Sequence, residues 1–542
     1  MEQLKYLKPN VVIEPLFDRW YAWTHLVSPA TASRNITERH LKIMSSYIES
    51  PHMHAQAIKS SKMRGGPFMD LPENAVEKVE TLKKETETKQ KNLIQLSRDI
   101  DALNKMLQTK ARGYSLESLY PEIPEGLKGY VELVYDLNNN PSFRFFESLL
   151  YESPYYDASS QSLALWLTNN DERPFVLSTP RVDDENVIHV QTPFSHPVID
   201  LLGSMKRKAG SVLQLCEFLK IPAHQLEQFQ SFFTADPPPA YEPYQGDKIR
   251  MRYFGHACIL IETKNVSILV DPVISYYGYE QEISRFSDMH LPDVIDYVVI
   301  THNHQDHILF ETLLPLRHKI RNIVVPRGGT SFLQDPSLKL LFNHIGFKNV
   351  IELGEMEKIL FDDCCITGIP FTGEHGDLCI TTKLCYHIRI DGFSLMFMAD
   401  SNVIEPRLYD HVSKSIGKID VIFLGMECDG APLSWLYGPL LHGPLPRDKD
   451  ATRRFSGCDF ERAKALLDIF TPSEVYVYAM GQEPWIEFIS SIKYTDQSNP
   501  IVQSGKLIGY CISSGILAER LFGEKEILYD RKKSPQVISS VS

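Results

Sequence analysis

The chain has 542 residues, 43% of them apolar and 23% charged. That composition can bury more than one core and excludes a disordered or fibrous protein. A net charge of −13 argues against a general nucleic-acid binder, which needs a basic surface to displace counterions. No stretch approaches the roughly 20 uncharged apolar residues of a membrane span, and the N-terminal residues show no apolar core followed by a small-residue cleavage site. Nine cysteines without a C-x-x-C pair, Cys364 and Cys365 being adjacent, fit a reducing cytoplasm rather than a disulfide scaffold.

In chain order, residues 20–31 and 39–48 read as helices with apolar faces. His25, His40, His52 and His54 lie among or just after them at spacings that fit no metal pattern, so structural or surface roles are expected. Residues 73–112 are charged and almost free of glycine and proline. Leu93, Leu96, Ile100, Leu103 and Leu107 recur there at intervals of three and four, the seam of a helix packed on its own domain or on a second copy. Alternating runs at 130–137, 162–169 and 187–193 predict a small sheet. The proline cluster Pro237–Pro239 marks a linker. The expected organisation is a mixed α+β N-terminal domain at 1–236, a linker at 237–246, an α/β domain at 247–515 and a tail at 516–542. Beyond the linker, β-rich runs alternate with helical stretches, the pattern of a layered α/β sandwich with functional residues at strand ends.

The strongest chemical signal is THNHQDH, Thr301 to His307, directly after the strand candidate YVVI. His302, His304, Asp306 and His307 place four metal-competent side chains within six residues. On an extended turn, His302 and His304 can reach one ion while Asp306 and His307 reach a second. With GHACILIE at Gly255–Glu262 and LVDP at Leu269–Pro272, the loop resembles the metallo-β-lactamase fold, over residues from about 247 to 515. The resemblance implies an αββα sandwich, with Asp271 supporting the loop and His256 beside the site rather than on a metal.

That superfamily completes a two-metal site with a histidine, a bridging aspartate and a last histidine. Here the first position reads FTGEHGD, with Glu374 and His375 adjacent. Asp400 in MFMADSN fits the bridge. Tyr478, Ala479, Met480 and Gly481 occupy the last position, where none is a ligand for a hard dication; His442 is the loop residue that could substitute. A half-carboxylate set with open positions suits iron better than zinc, which favours closed N/S-rich sites.

This pattern resembles the dinuclear iron β-hydroxylases of the chloramphenicol-pathway type, which carry a metallo-β-lactamase domain behind a distinct N-terminal domain. The resemblance implies a non-haem diiron monooxygenase with two oxo- or hydroxo-bridged irons, consuming O2 and two external electrons. Its ligands map onto His302, His304 and Glu374 for one iron and Asp306, His307 and Asp400 for the other, with Asp400 bridging. Glu427 in FLGMECDG corresponds to a nearby acid, so Glu374, Asp400 and Glu427 are the expected catalytic set. The substrate implied is an amino acid held as a thioester on a nonribosomal peptide synthetase carrier domain, as in antibiotic biosynthesis. An electron-transfer reductase and a homodimer are the further partners implied; no nucleic acid or membrane is expected.

An acidic carrier would need a local basic patch on this acidic chain. Lys206–Lys208 and the group Arg317, Lys319, Arg321 and Arg327 are the candidates. Trp435 and Tyr437 follow Glu427 closely, with core packing favoured over pocket lining. Two other readings stand beside the hydroxylase. A dinuclear zinc hydrolase acting on a lactone, phosphodiester or thioester would use His375 in place of Glu374. A non-catalytic scaffold with a decayed site would not retain six plausible ligands.

Overall fold

A computed structural model describes residues 3–279, 281–329 and 331–530. In the C-terminal half, two seven-stranded mixed sheets face each other. One runs in space from Val350–Leu353 through Ile320–Pro326, Ile295–Val299, Ser267–Val270, Ile259–Glu262 and Ile249–Tyr253 to Lys525–Tyr529. The other runs from Lys358–Phe361 through Cys364–Ile369, Cys385–Ile390, Phe393–Phe397, Val421–Gly425 and Glu474–Tyr478 to Leu517–Arg520.

Strand periodicity builds the layers. Ile259, Ile261, Ile268 and Val270 face the inter-sheet core with Ile366, Ile388, Leu395 and Phe397. The alternate residues Leu260 and Leu269 point the other way, into a second core shared with the N-terminal half. Both faces are buried, which is why these strands read as continuous apolar runs. The helices Pro406–Ile416, Phe460–Phe470 and Asn499–Ser513 cover the outer face of the second sheet.

The N-terminal half contains a four-stranded sheet, ordered Trp20–Tyr21, Val11–Phe17, Gln161–Leu167, Ile188–Gln191, with helices around it. The predicted helix over 73–112 is two helices, Val76–Lys89 and Lys91–Lys110. They meet at Gln90, whose carboxamide donates to Asp18 and to Ser160 Oγ; these bonds anchor the break to the rest of the domain. All five seam residues from Leu93 to Leu107 are buried within this chain, so the seam presents no free face to a second copy. The expected tail is a correction: Leu517–Arg520 pairs parallel to Glu474–Tyr478, and Lys525–Tyr529 pairs antiparallel to Ile249–Tyr253. These strands close one edge of each sheet; residues 531–542 of that stretch lie outside the described residues.

A buried ionic network joins the halves beside the metal loop. Arg173 forms a bidentate pair with Glu311, both contacts at 2.9 Å. It also donates to Glu14, which takes Arg181 Nε at 2.8 Å. Glu311 sits in the helix Phe310–Leu316 that follows the loop, so the N-terminal sheet is bolted to the element that carries the site. Removing one member strands the others in a low-dielectric interior. Glu14→Gln is therefore expected to cost about 3 kcal/mol in chemical denaturation.

A second inter-domain contact is pH-sensitive. The Ser337 N–H donates to Glu147 Oε2 at 2.9 Å, while Oε1 is enclosed without a partner. Burial pushes this carboxyl up to about 7 despite that hydrogen bond. The folded state then binds a proton that the unfolded state has released, so stability declines as pH rises through the window between about 4.5 and 7. Between pH 5 and 8, the wild type is expected to lose about 2–3 kcal/mol of unfolding free energy relative to Glu147→Gln.

Candidate metal centre

The metal loop begins where the strand Ile295–Val299 ends, and a neighbouring strand end holds it. Asp271, fully buried after Ser267–Val270, accepts from Thr301 N at 2.8 Å and Thr301 Oγ1 at 2.6 Å. Its Oδ2 also takes His307 Nδ1 at 2.8 Å. That bond places the imidazole proton on Nδ1 and turns the His307 Nε2 lone pair into the site. Asp271 itself has φ +39°, a left-handed conformation forced by the sharp exit from the strand.

Around this loop the structure gathers the six expected residues. His307 Nε2 lies 3.2 Å and His302 Nε2 3.7 Å from Asp400 Oδ2. His304 Nδ1 lies 3.2 Å from Glu374 Oε1. Among the described residues, three groups bring ligand atoms within 4.8 Å of one another: His302, His304 and Glu374; His302, His307 and Asp400; and His256, Asp306 and His307. Neither His375 nor His442 belongs to these groups. His442 instead lies against the Phe143 ring, centroids 6.4 Å apart.

His256 is placed by its tautomer. The Gly481 N–H donates to His256 Nδ1 at 3.2 Å, so the ring proton sits on Nε2, which faces Asp306 Oδ2 at 3.4 Å. In that state His256 orients Asp306 and has no lone pair for an ion. The same contact explains the missing last histidine. After Glu474–Tyr478 the chain turns through Ala479 (φ +53°), whose N–H binds the His256 carbonyl at 2.9 Å. The Tyr478 hydroxyl accepts from Ala399 N at 3.1 Å. This strand end supports the walls of the site without supplying a ligand.

Glu374 occupies a strained turn, at φ +68° between Gly373 (φ +76°) and His375–Gly376. A non-glycine residue is held there against its preference only because surrounding contacts fix the turn. Lys383 Nζ ties the Gly373 carbonyl at 3.1 Å, and the Tyr437 hydroxyl meets His304 Nε2 at 3.2 Å. Tyr437 thus contacts the site histidine that faces Glu374, and Trp435 lines the cavity above the site, a role the sequence reading ranked below core packing. Glu427 also lines that cavity. Burial pushes its carboxyl up to about 7, although Gly430 N–H donates to Oε2 at 2.6 Å.

The cluster is unsatisfied as protein alone. His302 Nε2 and Asp400 Oδ1 are buried without a hydrogen-bond partner, and Glu374 Oε2 has only its neighbour His375 Nδ1 at 3.0 Å, a costly arrangement unless a cation completes it. Burial and the neighbouring imidazoles hold His302 well below its ordinary value, so it stays neutral with a lone pair to donate. For His307, burial opposes the charged form but Asp400, Asp306 and Asp271 outweigh it and favour a positive charge at this ring, which an ion on Nε2 would supply in place of a second proton. Three imidazoles and three carboxylates, with no thiolate, form a donor set that fits a pair of first-row dications with oxygen-ligand preference.

The structure brings members of both expected basic groups together, with Arg207, Lys208, Lys319 and Arg321 lining one pocket separate from the metal cavity, but several of these charges are already engaged. Arg317 is buried, paired with Asp200 at 2.9 Å and donating to the carbonyls of Phe194, His196 and Ile345. Lys319 is buried and donates to Pro292 O, and Lys206 pairs with Asp288. Arg321 and Arg327 are exposed but paired with Asp296 and Glu357. Reversing Arg317 would unfold a staple between two domains rather than probe docking. Arg64 and Gly65 also line the cavity wall, and nothing local in the sequence places them over a site some 240 residues away. His40 stacks on Trp20 at 3.8 Å, and His54 accepts from Met69 N at 2.8 Å, both structural roles.

A metallo-β-lactamase sandwich with this centre, behind a distinct N-terminal domain, defines a class of metalloenzyme. Residues 6–237 match the diiron non-heme beta-hydroxylase N-terminal domain family, and residues 250–429 match the beta-lactamase superfamily domain. The chain is 35% identical over 521 residues to 4-amino-L-phenylalanyl-[CmlP-peptidyl-carrier-protein] 3-hydroxylase of Streptomyces venezuelae, covering 95% of this chain and 98% of that protein. The crystal structure of CmlA, a diiron beta-hydroxylase from Streptomyces venezuelae, superposes with a TM-score of 0.91 at 34% identity, over 97% of this chain and 100% of that one. A mutant of the same enzyme gives 0.89. The protein belongs to the diiron non-haem β-hydroxylase family and is an oxygenase.

Asp271 is the residue on which the loop geometry hangs. Asp271→Asn keeps the shape but weakens the acceptor that orients His307, and metal affinity is expected to fall by about 10- to 100-fold. Residual metal after dialysis against graded chelator measures it.

Proposed function

We propose that the protein hydroxylates the β-carbon of an amino acid held as a thioester on a nonribosomal peptide synthetase carrier domain. The observation that carries this reading is Glu374, a buried carboxylate whose Oε1 faces His304 Nδ1 at 3.2 Å and which groups with His302 and His304, in a chain homologous over almost its whole length to an aminoacyl-carrier hydroxylase. In the proposed assignment His302, His304 and Glu374 would hold one iron, and Asp306, His307 and Asp400 the other. Bound there, the irons would supply O2 activation, which protein side chains cannot provide.

The chain's own residues do the rest. Asp271 and His256 fix the orientation of His307 and Asp306, and Tyr437 fixes that of His304. The cavity over the cluster, about 360 Å³, is walled by Trp435, Leu436, Phe455, Met480 and Ile489. These side chains exclude bulk water and position an apolar C–H-bearing group beside the carboxylates. Glu427 lines the same cavity and completes the proposed catalytic set with Glu374 and Asp400.

A two-electron reductase is the remaining partner of the proposed reaction. The homodimer rests on the family resemblance, since the leucine seam is buried within the chain. A cytoplasmic location accords with nine free cysteines; among the described residues no helix is long and apolar enough to cross a membrane.

Metal analysis and product mass test the proposal. Iron-replete wild type is expected to hold two irons per chain and to add one oxygen atom to a carrier-bound amino acid. Glu374→Ala is expected to lose iron and at least about 100-fold in hydroxylation. Two zincs after iron-replete expression, or full activity of Glu374→Ala, would refute it.

A further inference from the structure

The cavity over the metal cluster has a neighbour. A second cavity of about 570 Å³ opens on the N-terminal domain, lined by Arg39, Lys42, Ile43, Ser46, Phe175 and Leu177 among others. Gly65, Pro432 and Trp435 line both cavities. The wall between them is thin and held by a few bonds. The Trp435 indole N–H donates to the Gly65 carbonyl at 2.8 Å, and its ring lies 6.1 Å from Phe175 at an interplanar angle of 29°. Arg39 Nη2 holds the same turn through the carbonyls of Trp435 and Leu436, at 2.9 and 2.8 Å.

Arg39 is the unexplained group. It is only 8% exposed, and its Nη1 has no hydrogen-bond partner. Among the described residues it forms no ion pair, while its neighbour Glu38 pairs with Lys42 at the rim. That Nη1 is enclosed, so Arg39 acts on the outer cavity through the turn it holds rather than as a free donor.

We infer that the two cavities form one path in two chambers: the inner takes the aminoacyl group, and the outer takes the pantetheine arm that carries it. The inference rests on the carrier-bound substrate of the proposed function and assigns residues to the arm. Pantetheine alternates amide groups with methylene and dimethyl carbons. Ile43, Phe175 and Leu177 offer apolar contact to its carbons, and Arg39 shapes the chamber wall by holding the Trp435–Leu436 turn. Trp435 and Gly65 form the neck through which the thioester passes. Gly65 is suited to the neck: at φ +71°, a Cβ there would meet Ser491 and the Trp435 indole at 3.3–3.4 Å. The amino acid is thereby selected in the inner chamber, while the outer chamber recognises the arm whatever amino acid it bears.

Isothermal titration of the iron-replete full chain tests this with 4′-phosphopantetheine, which fills the outer chamber up to the neck, and N-acetylcysteamine, the arm's terminal fragment, which reaches only the neck. Wild type is expected to bind the longer probe at least about ten-fold more tightly, equivalent to about 1.4 kcal/mol. Ser46→Trp, which fills the outer chamber from an exposed position, is expected to abolish that preference and leave the affinity for the fragment unchanged. Lys42→Trp fills the chamber from its rim and leaves the Ser46–His54 contact intact, so a folding defect in one variant does not obscure the other. Equal affinities of wild type for the two probes, or an undiminished preference in both variants, would overturn the two-chamber path. Iron content and hydroxylation of a carrier-bound amino acid, measured on the same preparations, judge the hydroxylase reading separately.

Discussion

A single buried carboxylate organises the catalytic half of this protein. Asp271 spends both oxygens on the next strand end, taking Thr301 N and Oγ1 and His307 Nδ1. It thereby sets the path of the loop and the tautomer of one histidine at once. A charged acceptor in a fully buried position forms strong bonds because water cannot compete. The same burial makes the arrangement intolerant of loss. His302 and His304 share the backbone that Asp271 holds, so the geometry of the cluster inherits its precision from this contact.

The second constraint is mechanical. The helix after the metal loop carries Glu311, and Glu311 is clamped by Arg173 from the N-terminal half, which also binds Glu14 in the N-terminal sheet. The two halves therefore do not meet as independent lobes with a wet interface. They share one apolar core, including Leu26 and Phe194 from one half and Leu260 and Phe310 from the other. A rigid junction of this kind lets N-terminal residues such as Arg39 and Gly65 serve as walls of a cavity whose floor is built by the sandwich. Strain at Glu374 is sustained in the same way, by surrounding contacts such as Lys383 on the Gly373 carbonyl.

The departures from the superfamily pattern have a common physical sense. Replacing a neutral imidazole by Glu374 adds negative charge and hard oxygen to the donor set, which favours iron and helps balance its higher oxidation state. Where a last histidine would stand, the backbone of Ala479 and Gly481 instead engages His256. The strand end has become part of the framework that aims Asp306. With no ligand from that strand end, ions bound by the remaining residues would keep positions for O2 chemistry that a closed structural site lacks.

Much of the site was legible in the sequence because its information is local. THNHQDH after an apolar strand, LVDP, and single carboxylates in FTGEHGD and MFMADSN each sit at strand ends, where a few adjacent residues determine which side chains face the site. The leucine seam and the alternating strands were likewise visible, since periodicity is a property of neighbouring residues. Which residues meet across the fold was not. Arg317 and Lys319 read as surface charge, yet they are buried, because their partners Asp200 and Pro292 lie elsewhere in the chain. The stretch after 515 read as a tail because short edge strands acquire their pairing from sheets already assembled. The sequence alone carried the family and the candidate donor set of the centre, because both are written in short motifs at strand ends. Only the tertiary structure decided what stands over the centre, because Arg39, Gly65, Phe175 and Trp435 converge through long-range packing that no local pattern encodes.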